Sequence, residues 1–218
     1  MIQYLTYGVS PFQQNCRIVF CSDNNNAVIV DPGDSARELS LELDRLRLSP
    51  TAILLTHGHQ DHAGGAPELS RILNIDIVGP EKGDSFLLEG MCHQGQMLGL
   101  PPVENFVPDR WVSDNEELDL GLNETVRVIH TPGHTPGGVC YYLEKSGLLL
   151  SGDTLFAGSV GRTDFPRGNA RDLVDSITRK LFRLPDTVKV LSGHGPETSI
   201  GNEKKDNPSL SYMKQLLN

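Results

Sequence analysis

No run of apolar residues in this chain approaches the ~18 that a membrane-spanning helix requires. The opening Met1-Ile-Gln-Tyr-Leu-Thr-Tyr has neither a basic cap nor an apolar block, so no secretory leader is expected. Cysteine is scarce: Cys16, Cys21, Cys92 and Cys140 form no CxxC pair and no zinc-finger spacing. They read as reduced thiols packed like small hydrophobes, which fits a reducing compartment, and a cytoplasmic location is expected. Positive charge is in deficit, with 19 Lys and Arg against 28 Asp and Glu and a formal net charge of −9. Such a surface repels phosphate backbones, so the expected partner is a small molecule, with no nucleic acid and no membrane. Low-complexity segments, short-period repeats and linker-like stretches are also missing.

What remains is a chain of 218 residues, 38% of them hydrophobic, read as one domain over residues 1–218. A chain this long buries roughly 70% of its unfolded surface, enough for a real core. Arg17–Cys21 and Ala27–Asp31 are β-type runs around the Asn-rich turn Asp23–Asn26, a hairpin signal. Asp34 or Ser35 is placed to cap a helix bearing Leu39, Leu43 and Leu46, with Pro50 marking its exit. Ala52–Leu55 reads as a strand, Pro67 as the first turn of a helix reaching Leu73, and Ile75–Val78 as a strand again. Residues 82–110 show no clean period and read as long loops. Val126–Ile129, Val139–Leu143 and Leu148–Leu150 are strand-like. Asn169 caps a helix with Leu173, Ile177, Leu181 and Leu184 on one face, and Val188–Leu191 is read as the last strand. Strands and helices alternate throughout, so the expected class is α/β.

Three of the seven histidines fall in Thr56-His57-Gly58-His59-Gln60-Asp61-His62. This H-x-H-x-D-H run packs four potential metal ligands into six residues directly after a buried-looking strand. Imidazole and carboxylate suit borderline metals such as zinc, and a tight loop converges its side chains at low entropic cost. A solvated loop is the sounder reading for a lone histidine, but not for this cluster. The pattern of strand, glycine and ligand then recurs three times. Val126–Ile129 leads through Gly133 to His134, Leu148–Leu150 through Gly152 to Asp153, and Val188–Leu191 through Gly193 to His194. Five His and two Asp exceed what one four-coordinate ion needs, so two ions sharing a carboxylate is the economical arrangement. His130 and His93 are read as a structural residue and a solvated one.

In this order of motifs the chain resembles the metallo-β-lactamase superfamily. The stretches Thr131-Pro132-Gly133-His134-Thr135-Pro136-Gly137-Gly138, Ser151-Gly152-Asp153-Thr154 and Gly193-His194-Gly195-Pro196 most resemble its glyoxalase II (hydroxyacylglutathione hydrolase) branch, in the short single-domain bacterial form. The resemblance implies a four-layer αββα sandwich with two divalent metals at one edge of the sheets, zinc first and iron or manganese as alternatives. It implies that His57, His59 and His134 hold one ion, that Asp61, His62 and His194 hold the other, and that Asp153 bridges them. The implied reaction is hydrolysis of a glutathione thioester such as S-lactoylglutathione by a metal-bridging hydroxide, with Asp61 also orienting the nucleophile as a catalytic residue.

Departures from the long enzymes bear on the substrate. Only 24 residues follow His194, so the C-terminal helical domain that contacts glutathione is expected to be absent and a single helix near Leu210–Leu217 takes its place. Where the long enzymes use lysine and tyrosine for glutathione, this chain has arginine and aspartate. Arg162 is accordingly read as a substrate-binding residue whose fork suits a carboxylate, with a buried structural Arg162–Asp164 pair as the competing reading. Gly161-Arg162-Thr163-Asp164-Phe165 also resembles the mono-iron persulfide dioxygenases, the alternative activity, although the context of His194 favours the hydrolase. A true β-lactamase commonly carries cysteine at the place of Asp153. A tRNA-processing nuclease would want a basic exosite that the charge of −9 does not offer.

Overall fold

The computed structural model describes residues 1–217. The first sheet runs β1 (Ile2–Val9), β2 (Gln14–Cys21), β3 (Asn26–Val30), β4 (Ser49–Leu54), β5 (Asp76–Glu81) and β6 (Arg110–Val112), in that spatial order. β1, β2 and β3 pair antiparallel, as the Asn-rich turn predicts, and β3 to β6 pair parallel through helical crossovers. The second sheet is built from β7 (Glu117–Leu118), β8 (Val126–His130), β9 (Val139–Leu143) and β10 (Leu148–Gly152). A small ribbon, β11 (Leu155–Phe156) with β12 (Ser159–Val160), leaves it before β13 (Lys189–Ser192) and β14 (Thr198–Ser199) return. Its order is β14-β13-β10-β9-β8-β7, with β13 parallel to β10.

Alternation along the strands explains the layers. Val28 and Val30 of β3, Leu54 of β4, and Val139, Tyr141 and Leu143 of β9 meet in one cluster between the two sheets. The intervening residues face outward onto helices. Ile29 and Ile53 pack on α1 (Ala36–Leu46) and α3 (Ala66–Leu73), through Leu39, Leu43 and Leu69. Cys140, Tyr142 and Leu149 pack on the opposite helical layer through Leu173, Ile177 and Leu181. Strands covered on both faces are apolar throughout, which is why the central segments lack an alternating signature. The result is the four-layer α/β sandwich.

Several boundaries differ from the sequence reading. Pro50 does not mark a helix exit; α1 ends at Arg47 in the left-handed region, and Pro50 lies inside β4. Ser35 occupies the cap position of α1 but makes no side-chain cap, because the Asp34 carboxylate accepts from the Ser10 N–H and the Ser35 hydroxyl instead. Residues 82–110 are not simply loops. They hold α4 (Ser85–Leu88) and α5 (Met91–Leu98), whose buried Leu87, Leu88 and Met91 anchor segments too short to show a period. The side chain of Asn169 caps α6 (Ala170–Asp175) as expected, yet the helix widens into a π turn over Ser176–Lys180. Val188–Leu191 is not the last strand, since β14 follows. The helix expected near Leu210–Leu217 forms as α8 (Pro208–Leu217), but a second, α7 (Ile200–Lys205), precedes it. Among the described residues, no helix is long and apolar enough to cross a membrane.

Candidate metal centre

The strands that carry the motifs end at one edge of the sandwich, and the loops beyond their carboxyl ends converge there. β4 runs into His57, and the short α2 (Gln60–Ala63) projects Asp61 and His62. From the other sheet, β8 leads to His134, β10 to Asp153 and β13 to His194. Glycine permits the approach. A Cβ at Gly193 would sit 2.4 Å from Asp153 Oδ1 and 2.5 Å from His62 Cε1. At Gly152, in the left-handed region at φ +48°, a Cβ would lie 2.4 Å from Thr56 Oγ1.

All seven side chains read from the sequence as metal ligands come together, six of them as two facing triads. His57 Nε2 lies 3.1 Å from His59 Nδ1, which lies 3.0 Å from His134 Nε2. On the other side His62 Nε2 is 3.4 Å from His194 Nε2, which is 3.3 Å from Asp61 Oδ2. Within each triad the donor atoms fall inside 4.8 Å of one another. Asp153 stands between the triads, with Oδ2 3.6 Å from His134 Nε2 and 3.7 Å from His194 Nε2. Its Oδ1 is buried and finds no aligned hydrogen-bond donor, although His62 Nε2 is 3.3 Å away.

Such a donor set fits cations. Imidazole nitrogens at roughly 2.0–2.1 Å from a tetrahedral ion stand about 3.3 Å apart, close to the separations seen here. An orphaned buried carboxylate oxygen is costly unless a positive charge meets it. The chain therefore provides a His/Asp cluster suited to a binuclear metal site.

Protonation differs between the triads. Burial, reinforced by the neighbouring imidazoles, holds His57 well below the ordinary histidine range and brings His59 down to about 3. Burial also lowers His134, although Asp153 works against it. His62 is raised well above the usual value, because Asp153, Asp61 and Asp31 outweigh its burial. Burial pulls His194 down, but Asp61 and Asp153 prevail and raise it. Burial would raise Asp153, yet His62, His134 and His194 hold its carboxyl low.

Supporting contacts fix which nitrogen faces the cluster. His134 Nδ1 donates to the Arg162 carbonyl at 2.7 Å, leaving Nε2 free. Two positioning carboxylates went unread in the sequence. Asp31 accepts the Thr56 N–H at 2.8 Å through Oδ1, and through Oδ2 the Thr56 hydroxyl at 2.6 Å and His62 Nδ1 at 2.9 Å. Asp84 accepts the Gly58 N–H at 2.8 Å, the Gly137 N–H at 2.6 Å and the Thr135 hydroxyl at 2.8 Å. It thereby ties the first histidine loop to the loop of His134, and burial pushes its carboxyl up to about 6 against those hydrogen bonds.

Arg162 forms a bidentate pair with Asp164 at 2.9 and 2.7 Å, but both side chains are exposed, at 68% and 67%, so the pair is not a buried one. Its guanidinium also stacks 4.6 Å from the Phe165 ring centroid at the rim of the cavity above the cluster. His130 Nε2 donates to the Pro136 carbonyl at 2.9 Å and stands apart from the cluster, while His93 is exposed on α5. The four cysteines are free thiols, and burial pushes Cys140 up to about 11.

Comparison with known proteins agrees with this architecture. The chain is 41% identical over 203 residues to the hydroxyacylglutathione hydrolase GloC of Haemophilus influenzae, covering 93% of this chain and 95% of the relative. Among solved structures, the BLEG-1 B3 metallo-beta-lactamase superposes with a TM-score of 0.87 at 38% identity, covering 94% of this chain and 98% of that one. TTHA1623, solved in a di-iron-bound form, does so with a TM-score of 0.85 at 35% identity, over 94% and 98% of the two chains. The family model of the Metallo-beta-lactamase superfamily matches residues 9–194, which begin in β1 and end on the last histidine of the cluster, and the chain belongs to that superfamily.

Proposed function

We propose that this protein is a metal-dependent thioester hydrolase of the glyoxalase II kind, acting on glutathione thioesters such as S-lactoylglutathione. The observation that carries this reading is the pair of complete triads facing one another across the Asp153 carboxylate. His57, His59 and His134 would hold one ion and Asp61, His62 and His194 the other, with Asp153 between them and zinc as the first candidate. Such a pair, when bound, supplies an acidified water and a Lewis-acid partner for the acyl oxygen. The likeness to GloC supports the thioester, whereas BLEG-1 bears the name of a lactamase.

The chain's own residues then have defined tasks. Asp61 opens onto the cavity and accepts a hydrogen bond from the attacking water, orienting its lone pair. The water oxygen forms the new C–O bond, and the C–S bond breaks with its electron pair leaving on sulfur. One water proton neutralises the thiolate, and the other is lost to solvent as the product acid ionises. A thiolate is a good leaving group, so no strong general acid is required. Arg162, at the rim, would receive a glutathione carboxylate by exchanging it for Asp164. That exchange makes substrate affinity modest.

The test is metal content of the purified protein together with thiol release from S-lactoylglutathione. Two equivalents of divalent metal with turnover are expected, and Asp153→Ala should lower the occupancy of both triads. One iron per chain, with oxygen uptake on glutathione persulfide and no thiol release, would overturn the hydrolase in favour of a persulfide dioxygenase.

A further inference from the structure

Above the donor cluster lies a cavity of about 600 Å³, with His59, Asp61, His134, Asp153 and His194 as its floor. That volume suits a ligand well beyond a water or a methyl group. Its walls are apolar: Leu87 and Val160 are buried, Phe156 and Phe165 are partly so, and Phe12 and Met97 stand exposed at the mouth. The two inner rings flank the two triads. Phe165 lies 4.8 Å from the His59 ring and 5.6 Å from that of His134, and Phe156 lies 6.3 Å from His194. Each triad therefore has one phenyl ring of the cavity wall packed against its imidazoles.

The polar groups of the wall are already engaged. Gln94 Nε2 donates to the Gly58 and Leu87 carbonyls at 3.0 and 2.9 Å, and the Ser159 hydroxyl meets that of Ser209 at 3.2 Å. The Arg162 fork is taken by Asp164. A charged peptide-like thiol arm cannot shed its water against such walls without a partner for each charge. The acyl group is the one part of the substrate free to be apolar, and burying apolar area there is favourable in proportion to its size.

Resting on the thioester reading above, we propose that the cavity selects the acyl group, and that the preferred substrates are thioesters of 2-hydroxy acids bearing an aryl or branched alkyl group rather than a methyl. The thiol arm stays at the solvent-facing rim beside Arg162. Phe156 and Phe165 set this specificity.

The experiment compares S-mandeloylglutathione with S-lactoylglutathione on metal-loaded protein, alongside calorimetric binding of the free acids mandelate and lactate. kcat/KM should be about 10-fold higher for the mandeloyl ester, carried by KM, and mandelate should bind about 10-fold tighter with a negative heat-capacity change. Phe165→Leu, which keeps apolar bulk, should retain most of this preference, and Phe165→Ser should abolish it. Cleavage of both esters at equal kcat/KM, or with the lactoyl ester preferred, would overturn the proposal while leaving the hydrolase intact. Selective binding of mandelate with neither ester cleaved would uphold the apolar cavity and sink the thioesterase instead.

Discussion

Asp31 and His62, 31 positions apart, are joined by a 2.9 Å hydrogen bond from imidazole Nδ1 to carboxylate Oδ2, and both are buried. Asp31 follows β3 in the left-handed region at φ +51° and reaches across to α2. The bond fixes His62 with Nε2 toward the cluster, so that a residue outside both triads sets the direction of a proposed ligand.

Asp31→Asn keeps the shape but weakens the acceptor. Metal affinity at the triad of Asp61, His62 and His194 should fall about 10–100-fold, with the other triad less affected. A chelator competition that resolves two release steps checks this; two unchanged steps would show that Asp31 merely braces the Thr56 turn.

Metal loading should release protons unequally. His57, His59 and His134 are lowered and therefore already neutral at pH 7, whereas His62, raised well above 6.5, enters the reaction charged. Filling both sites at pH 7 should thus release about one proton or more, all of it with the second triad. Calorimetry in buffers of different ionisation enthalpy measures the number. Release of no proton would contradict the assignment.

Asp84 gives a pH signature in the metal-free protein. Its carboxyl titrates at about 6 in the fold against 3.8 ordinarily, so between those values the native state binds more protons than the unfolded chain. Stability from this group therefore falls as pH rises from about 4 to about 6, by up to ~3 kcal/mol, and stays reduced above. Asp84→Asn should remove that slope, so the variant gains relative to the parent as pH rises. Urea unfolding at several pH values across this window tests it; parallel curves would reject it.

Arg162→Lys retains the charge and loses the planar fork. KM for a glutathione thioester should rise severalfold while kcat changes little. An unchanged KM would mean that the exposed Arg162–Asp164 pair serves only the surface.

The ligand candidates were legible because four of them crowd into the six residues His57–His62 behind β4, and because His134, Asp153 and His194 each follow a strand through a glycine, with no long-range information needed. Asp31 was hidden by its neighbours: a strand-terminal Asp before Pro32-Gly33 is indistinguishable from an ordinary turn former. Asp84 was hidden differently. Gly90 and Gly99 bound α5, and the helices of residues 82–110 are too short to carry a period, so nothing marked a buried carboxylate among them. The cavity has no local signal at all, since Phe12, Phe156 and Phe165 come from three separate segments that only the packed sandwich brings together.

Each triad draws two members from the first sheet's β4 loop and one from the second sheet, His134 in one case and His194 in the other. A nascent chain emerging in order displays His57, His59, Asp61 and His62 long before Asp153 and His194 exist. Neither proposed coordination set can close until the second sheet has docked on the first. Metal capture by these sets is therefore expected late in the life of the chain, so that a metal-loaded molecule would be one whose two halves have already found each other.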